Sequence, residues 1–82
     1  MRIEIDIPDS ALSALREAPG EFLADLRIMA AVKWYELGRL SQERAAELAG
    51  QSRQEFLATL SRLNVSPFQG VEEDLDTVRR LQ

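Results

Sequence analysis

The stretch that decides the fold is Ser41–Leu63, which reads SQERAAELAGQSRQEFLATLSRL. Ser41 is a good N-cap for a first helix, and Gly50 suits the left-handed residue that ends it. Ser52 is followed three residues later by Glu55, which is a complete capping box for a second helix that continues to about Leu63. The pattern predicts two short helices that are joined by a three-residue turn.

The residues inside this stretch match a helix-turn-helix in part. The small pair Ala45 and Ala46 permits close approach of the second helix, and Phe56 stands where that helix needs an apolar residue. Two positions depart from the usual pattern, because Gln51 replaces a turn hydrophobe and Thr59 replaces an apolar residue late in the second helix. The alternative is an ordinary helical hairpin that is packed in a core.

The N-terminal residues carry a different periodicity. Ile3, Ile5 and Ile7 alternate with polar residues up to Pro8, which is typical of a half-buried strand. A single strand cannot be stable alone, so it needs a partner. We expect that partner to be either Val65–Phe68 or the same strand of a second subunit.

The remaining segments predict further helices. Asp9 or Ser10 can cap a short helix to about Glu17, and a longer helix is predicted from about Glu21 to Leu37. That longer helix carries apolar residues on more than one side, so we expect it to be central, to be buried on several sides, or to lie partly in a subunit interface. A final amphipathic segment follows residue 70.

The expected fold is mainly α, with a short N-terminal strand, four to five helices including a helix-turn-helix-like hairpin, and a dimeric state. We expect residues 1–70 to form the domain and residues 71–82 to form a partner-binding tail.

Composition excludes several functions. The 82-residue chain contains no cysteine and no histidine, so disulfides, thiol chemistry and the usual zinc sites are excluded, and the commonest general base is missing. We therefore expect no enzyme activity, no cofactor and no metal; the acidic run 72–76 does not have the spacing of a calcium loop. The chain begins without a basic leader and an apolar run, and it has no membrane-length apolar stretch, so we expect a cytoplasmic protein.

Charge is distributed unevenly along a chain whose net charge is −4. Residues 33–64 hold five bases and four acids, a net of +1, whereas residues 1–32 carry −3 and residues 65–82 carry −2. A DNA-facing element needs such a local positive balance. In a helix-turn-helix, the start of the second helix meets base edges and flanking arginines meet phosphates. The candidate DNA-binding residues are Arg39, Arg44, Gln51, Ser52, Arg53, Gln54 and Arg62; alternatively, they are solvated surface side chains.

Two further sets of residues are candidates for protein contacts. The apolar stripe and the carboxylates of the tail predict a partner-binding surface, because an amphipathic segment this short needs something to dock on. This surface comprises Phe68, Val71, Glu72, Asp74, Leu75, Val78 and Leu81. The candidate oligomer interface comprises Ile3, Ile5, Ile7, Trp34 and Tyr35. A DNA-reading strand ribbon is disfavoured, because its outward residues would be Arg2, Glu4 and Asp6 and two of these three would repel phosphate.

The stretch AAVKWYELGRLSQERAAELAGQSRQEFLATLSRLNV, with the IEIDIP start and the SPF before an acidic tail, resembles a small prokaryotic family. That family is known as an uncharacterised protein family, and its members are commonly described as antitoxins. The resemblance runs from Ile3 to about Asp76 and is most specific at AVKWYELGRLS and AAELAGQSRQEFL. Gln51 departs from the apolar residue that is common in the family's turn.

The resemblance implies a helix-turn-helix-like antitoxin that is encoded beside a toxin, often a PIN-domain ribonuclease, and that regulates its own transcription by binding DNA. We therefore expect an antitoxin that binds operator DNA through residues 41–62 and neutralises its toxin through the tail. The alternative is a protein-interaction and oligomerisation module that never touches DNA. It is favoured by the acidic net charge and by the many-sided apolar helix that carries Trp34 and Tyr35.

Overall fold

The computed structural model describes residues 1–68, and this part of the chain contains four helices. Each helix begins and ends within two residues of the limits that the sequence predicts. The helices are α1 (Asp9–Leu15), α2 (Pro19–Glu36), α3 (Gln42–Ala49) and α4 (Arg53–Arg62). The tail from residue 69 onward, which includes the expected domain limit at residue 70 and the tail's partner-binding residues from Val71, lies outside the described residues.

The predicted N-terminal strand is wrong. No strand occurs within residues 1–68, and residues 1–8 precede α1 without any pairing. The physical reason is that the expected mate within the chain is engaged elsewhere. The Val65 amide donates to the Leu60 carbonyl at 2.8 Å, and the Pro67 carbonyl accepts from the Tyr35 hydroxyl. With no edge to pair with inside the described chain, the isoleucine alternation does not produce a strand, and residues 1–68 are all-α.

The ends of α3 and α4 are fixed by local hydrogen bonds. The Ser41 hydroxyl accepts from the Arg44 amide at 3.1 Å. At α4 the capping box is confirmed: the Ser52 hydroxyl accepts from the Glu55 amide at 3.1 Å, and the Glu55 carboxylate accepts from the Ser52 amide at 2.8 Å. Gly50 ends α3 with φ 71°, a left-handed conformation that L side chains rarely adopt. The hairpin therefore has the two helices and the three-residue turn that its sequence predicts.

The core lies where α3 packs on both α2 and α4. Its largest members are Tyr35, Phe56 and Leu60, all with at most 1% of their surface exposed. The rings of Tyr35 and Phe56 meet edge to face, with centroids 5.9 Å apart and an interplanar angle of 83°. From α3 the core receives only alanines, Ala45, Ala46 and Ala49, whose small side chains let the helices approach closely.

The long helix α2 is buried on one side only. Ala31, Val32 and Tyr35 are buried against α3 and α4, as a central helix requires. Large apolar side chains on its other sides, including Leu23, Met29 and Trp34, keep 41–56% of their surface exposed. Within residues 1–68 no helix is both long and apolar enough to cross a membrane.

Candidate nucleic-acid interface

Gln51 opens the segment that would enter a DNA groove, but its side chain turns inward. The Thr59 hydroxyl lies 3.1 Å from the Gln51 carboxamide oxygen and 3.1 Å from the Glu55 carbonyl, so these two acceptors share its one proton, and Thr59 itself is only 5% exposed. These are the two positions that depart from the usual helix-turn-helix pattern. The structure shows that they contact each other, so a hydrogen bond replaces the usual apolar contact between turn and second helix. Gln51 is thus part of the hairpin's internal packing.

Ser52 is also engaged within the chain. Its hydroxyl and its amide are both used in the capping box with Glu55, so the side chain fixes the start of α4. The hydrogen bonds from Ser52 to the Glu55 carboxylate lower the pKa of that glutamate below its ordinary value. Glu55 therefore stays ionised at the N-terminus of α4, where the helix dipole favours a negative charge.

Arg53 and Gln54 are both exposed in the first turn of α4. The Arg53 Nε donates to the Gln42 carboxamide oxygen at 2.8 Å, which links the first residue of α4 to the first residue of α3. An arginine has five N–H donors, so this bond leaves the terminal nitrogens able to donate elsewhere. Of the four residues expected to meet base edges, Ser52, Arg53 and Gln54 are exposed; the Ser52 hydroxyl is used in the capping box, which leaves Arg53 and Gln54 for such contacts.

The expected phosphate contacts lie in two places. Arg62 is exposed in the last turn of α4, about 13 Å from Arg53 along the helix axis. Arg39 and Arg44 instead lie together on a groove beside α2 and α3. Arg44 forms an ion pair with Glu47 at 3.2 Å, with both side chains more than two-thirds exposed. Such an exposed pair is weak, so a phosphate can replace Glu47 at little cost.

The groove beside Arg39 and Arg44 has an apolar floor. Trp34 is 41% exposed there, next to the half-buried side chains of Leu40 and Leu48. Met1 also lines this groove, and its charged residues are Arg39, Arg44 and Glu47. An exposed tryptophan beside charged side chains is typical of a surface that contacts another molecule. The predicted DNA-binding residues that face outward therefore lie in two places. Arg53, Gln54 and Arg62 lie on α4, and Arg39 and Arg44 lie on the Trp34 groove.

The residues expected at an oligomer interface are also separated. Ile3 and Ile5 are 77% and 58% exposed, and with the less exposed Ile7 they line a second groove beside the start of α2. Tyr35 is enclosed in the chain's own core, so its burial is explained without a second subunit. Phe68, the partner-binding candidate that falls in the described part, is 66% exposed.

Two residues that organise this region were not predicted from the sequence. Gln42 joins Arg53 to the core, and Arg27 donates from its Nε to the Leu48 carbonyl at 2.9 Å. The last turn of α3 contains no basic residue of its own, so its free carbonyls need a donor from another element. That shortage is visible in the sequence, but the identity of the donor on α2 is not.

The described part is thus an all-helical protein in which α3 and α4 form a helix-turn-helix-like hairpin with an exposed arginine at the start of its second helix. Comparison with known proteins agrees with the resemblance noted above. Residues 1–79 match the model of an uncharacterised protein family, UPF0175, and the chain belongs to that family. A UPF0175 protein from Aeropyrum pernix is 36% identical over 83 residues, which cover 98% of this chain and 89% of the relative. No solved structure matches the chain.

Proposed function

We propose that this protein is a DNA-binding antitoxin, which acts by binding and has no catalytic role. The observation that carries the DNA-binding part is the placement of Arg53 and Gln54, exposed on the first turn of α4 in a hairpin of helix-turn-helix type. Arg and Gln are the side chains that bond bidentately to guanine and adenine in the major groove. The start of α4 then reads base edges, and Arg39, Arg44 and Arg62 bind phosphates.

The charge distribution supports this assignment. The surplus of bases over acids falls in residues 33–64, whereas the rest of the chain is acidic. A protein with net charge −4 has little general attraction for DNA, so productive contact depends on the arginines of this segment. A second copy of the chain would double this set of arginines and let a homodimer bind two half-sites.

The antitoxin part rests on the family resemblance and on the sequence of the tail. Residues 71–82 combine an apolar stripe with four carboxylates, a composition that suits docking into a groove lined with basic groups. We propose that the tail, with Phe68 at its start, binds a toxin of the PIN-domain ribonuclease type. Operator binding by the hairpin would then regulate transcription of the toxin–antitoxin pair in the cytoplasm.

The DNA-binding part is tested by gel shift on duplexes that the wild-type protein enriches from a random-sequence library. Arg53→Ala and Arg62→Ala should each weaken binding, and Arg62→Ala should reduce the slope of log affinity against log salt by about 1. Arg16→Asn removes the same charge at the exposed end of α1, outside the hairpin and the Trp34 groove, and serves as the control, for which we expect almost no change. Equal effects of all three substitutions would show that the attraction is unspecific, and unchanged affinity in both hairpin variants would remove α4 from the interface.

The antitoxin part is tested by co-expressing the full chain with the product of the neighbouring reading frame. Wild type should restore growth that the neighbour suppresses, and Leu75→Asp or Leu81→Asp should abolish the rescue. The control is Leu15→Asp, which makes the same change at a leucine of α1 that is 56% exposed and lies outside the candidate interfaces. A neighbour that does not suppress growth, or rescue that persists in both tail variants, would contradict the proposal.

The second candidate function is a protein-interaction module that does not bind DNA. The half-exposed Trp34 on its groove favours it, because tryptophan is enriched among the residues that dominate protein–protein binding. On this hypothesis Trp34→Ala abolishes complex formation with the neighbouring gene's product, and the random library yields no enriched duplex. On the first hypothesis the library yields a duplex.

A further inference from the structure

Gln42 occupies a position that connects the core of the protein to Arg53. Its carboxamide oxygen accepts from the Arg53 Nε at 2.8 Å. Its amide nitrogen lies 3.3 Å from the Tyr35 hydroxyl and donates to the Pro67 carbonyl at 3.2 Å. Tyr35 is buried, and its own hydroxyl donates to the same Pro67 carbonyl. Gln42 therefore contacts the core through its amide nitrogen and binds Arg53 through its carboxamide oxygen.

The chemistry of these partners fixes the orientation of the Gln42 side chain. An arginine Nε can only donate, and a proline carbonyl can only accept. The oxygen of the carboxamide must therefore face Arg53, and its NH2 group must face Pro67. If the carboxamide were flipped, its NH2 group would face the Arg53 Nε–H, another donor, and its oxygen would face the Pro67 carbonyl, another acceptor. The side chain therefore has one stable orientation.

Both ends of the carboxamide are thus used inside the protein, whereas Arg53 remains exposed. The hydrogen bond to Gln42 restricts the rotamers of the Arg53 side chain before any ligand binds. Less side-chain entropy is then lost when Arg53 contacts DNA. Because the guanidinium is planar, a fixed Nε also fixes the direction of its terminal nitrogens. We infer that Gln42 is a positioning residue, which presents the Arg53 fork to a base edge without touching DNA itself. This inference rests on the proposed DNA-binding function.

The test is a double-mutant cycle measured on DNA affinity. The four proteins are wild type, Gln42→Ala, Arg53→Ala and the double variant, each titrated against a duplex enriched by the wild type from a random library. We expect Arg53→Ala to weaken binding by about tenfold or more, and Gln42→Ala by roughly three- to tenfold. In the Arg53→Ala background, Gln42→Ala should cause no further loss beyond about twofold, because its effect passes through Arg53.

Two additional measurements separate positioning from a purely structural role. Gln42→Met keeps an unbranched side chain of similar length without the amide, so it should lose as much affinity as Gln42→Ala. Repeating the library selection with Gln42→Ala should relax the preference at the base pair that Arg53 reads, while the salt slope stays that of wild type. Denaturation midpoints of all variants report whether the fold is retained.

The outcomes for this inference and for the proposed function are distinguishable. Enrichment of a duplex together with additive losses in the cycle, or with full affinity in Gln42→Met, overturns the positioning role and leaves DNA binding intact. A library that shows no enrichment with the wild-type protein overturns DNA binding and the positioning role together.

Discussion

The hairpin Ser41–Arg62 and the N-terminal segment Arg2–Ile7 both have clear sequence patterns, but only the hairpin forms the structure that its pattern predicts. The hairpin's helices begin at Ser41 and Ser52 caps and meet at Gly50, as expected. The N-terminal segment alternates apolar and polar residues but forms no strand within the described part of the chain. The two regions differ in where their hydrogen-bond partners come from.

A helix satisfies its backbone within its own segment, and its ends are closed by side chains two or three residues away. A strand satisfies its backbone only on another strand, which local sequence does not supply. The comparison teaches that caps and turn glycines are sufficient to locate elements here, whereas alternation is not. Substitutions in the hairpin should therefore be costly, and matched substitutions in the N-terminal part should not.

The largest difference is expected at the core. Phe56→Ala removes a fully buried ring that packs edge to face on Tyr35, and it should lower the free energy of unfolding by about 3–5 kcal/mol. Ile3→Ala removes apolar surface from a residue that is 77% exposed and should change it by less than about 0.5 kcal/mol. Urea denaturation measures both. A comparable loss in the two variants would contradict the assignment of the core.

The next difference is between two glycines. Gly50→Ala forces a left-handed conformation on alanine, which should cost about 1–2 kcal/mol of stability. The new Cβ would lie 3.5 Å from the Arg27 guanidinium, an ordinary contact, so the cost comes from the backbone. Gly20→Ala is the control, because its Cβ meets nothing within 4 Å in the first turn of α2; it should stabilise the protein by about 0.4–1 kcal/mol. Shifts of the same sign in thermal denaturation would contradict this account.

A smaller effect is expected at the cap of α4. Ser52→Ala should cost about 1 kcal/mol, whereas Ser10→Ala, in the exposed helix α1 that has no side-chain cap, should change stability by less than about 0.5 kcal/mol. Because folding lowers the pKa of Glu55, its contribution is present above the ordinary glutamate pKa and is lost as the pH falls through the lowered value. Glu55→Ala should therefore cost more stability at neutral pH than in strong acid, whereas Ser52→Ala keeps the backbone amide that donates to the Glu55 carboxylate. A pH-independent penalty for Glu55→Ala would exclude Glu55 from the cap.

The smallest effect concerns the Gln51–Thr59 contact. Thr59→Val leaves the Gln51 carboxamide oxygen without its partner, whereas Gln51→Leu leaves the Thr59 hydroxyl with the Glu55 carbonyl alone; the double variant restores the apolar contact that is usual in this motif. We expect a coupling free energy of about 0.5–1.5 kcal/mol between the two sites. Gln54→Leu combined with Thr59→Val is the control, since Gln54 is exposed in the first turn of α4. Simple additivity of Gln51→Leu and Thr59→Val would show that the contact contributes nothing.

These contrasts also explain how much of the candidate site could be read from the sequence. Gln51 and Thr59 are each recognisable as departures from the pattern, but their contact depends on how α4 crosses the turn. Gln42 gives no sequence signal at all, because an amide at the first position of a helix is usually solvated. Its role depends on Arg53, Tyr35 and Pro67 meeting from three distant parts of the chain. Caps and turn glycines are local signals, and they are sufficient to place the helices. The partners of the side chains become visible only when the fold is known.

The central claim is that the hairpin, and not the N-terminal segment, is the DNA interface. The most direct measurement is NMR of isotope-labelled full-length protein, titrated with a duplex that the wild type enriches from a random library. We predict that the largest amide and side-chain shift changes fall on Arg53 and Gln54, with smaller changes at Arg39, Arg44 and Arg62 and none from Arg2 to Ile7. Changes confined to the N-terminal segment, or spread evenly over the exposed arginines, would contradict the claim.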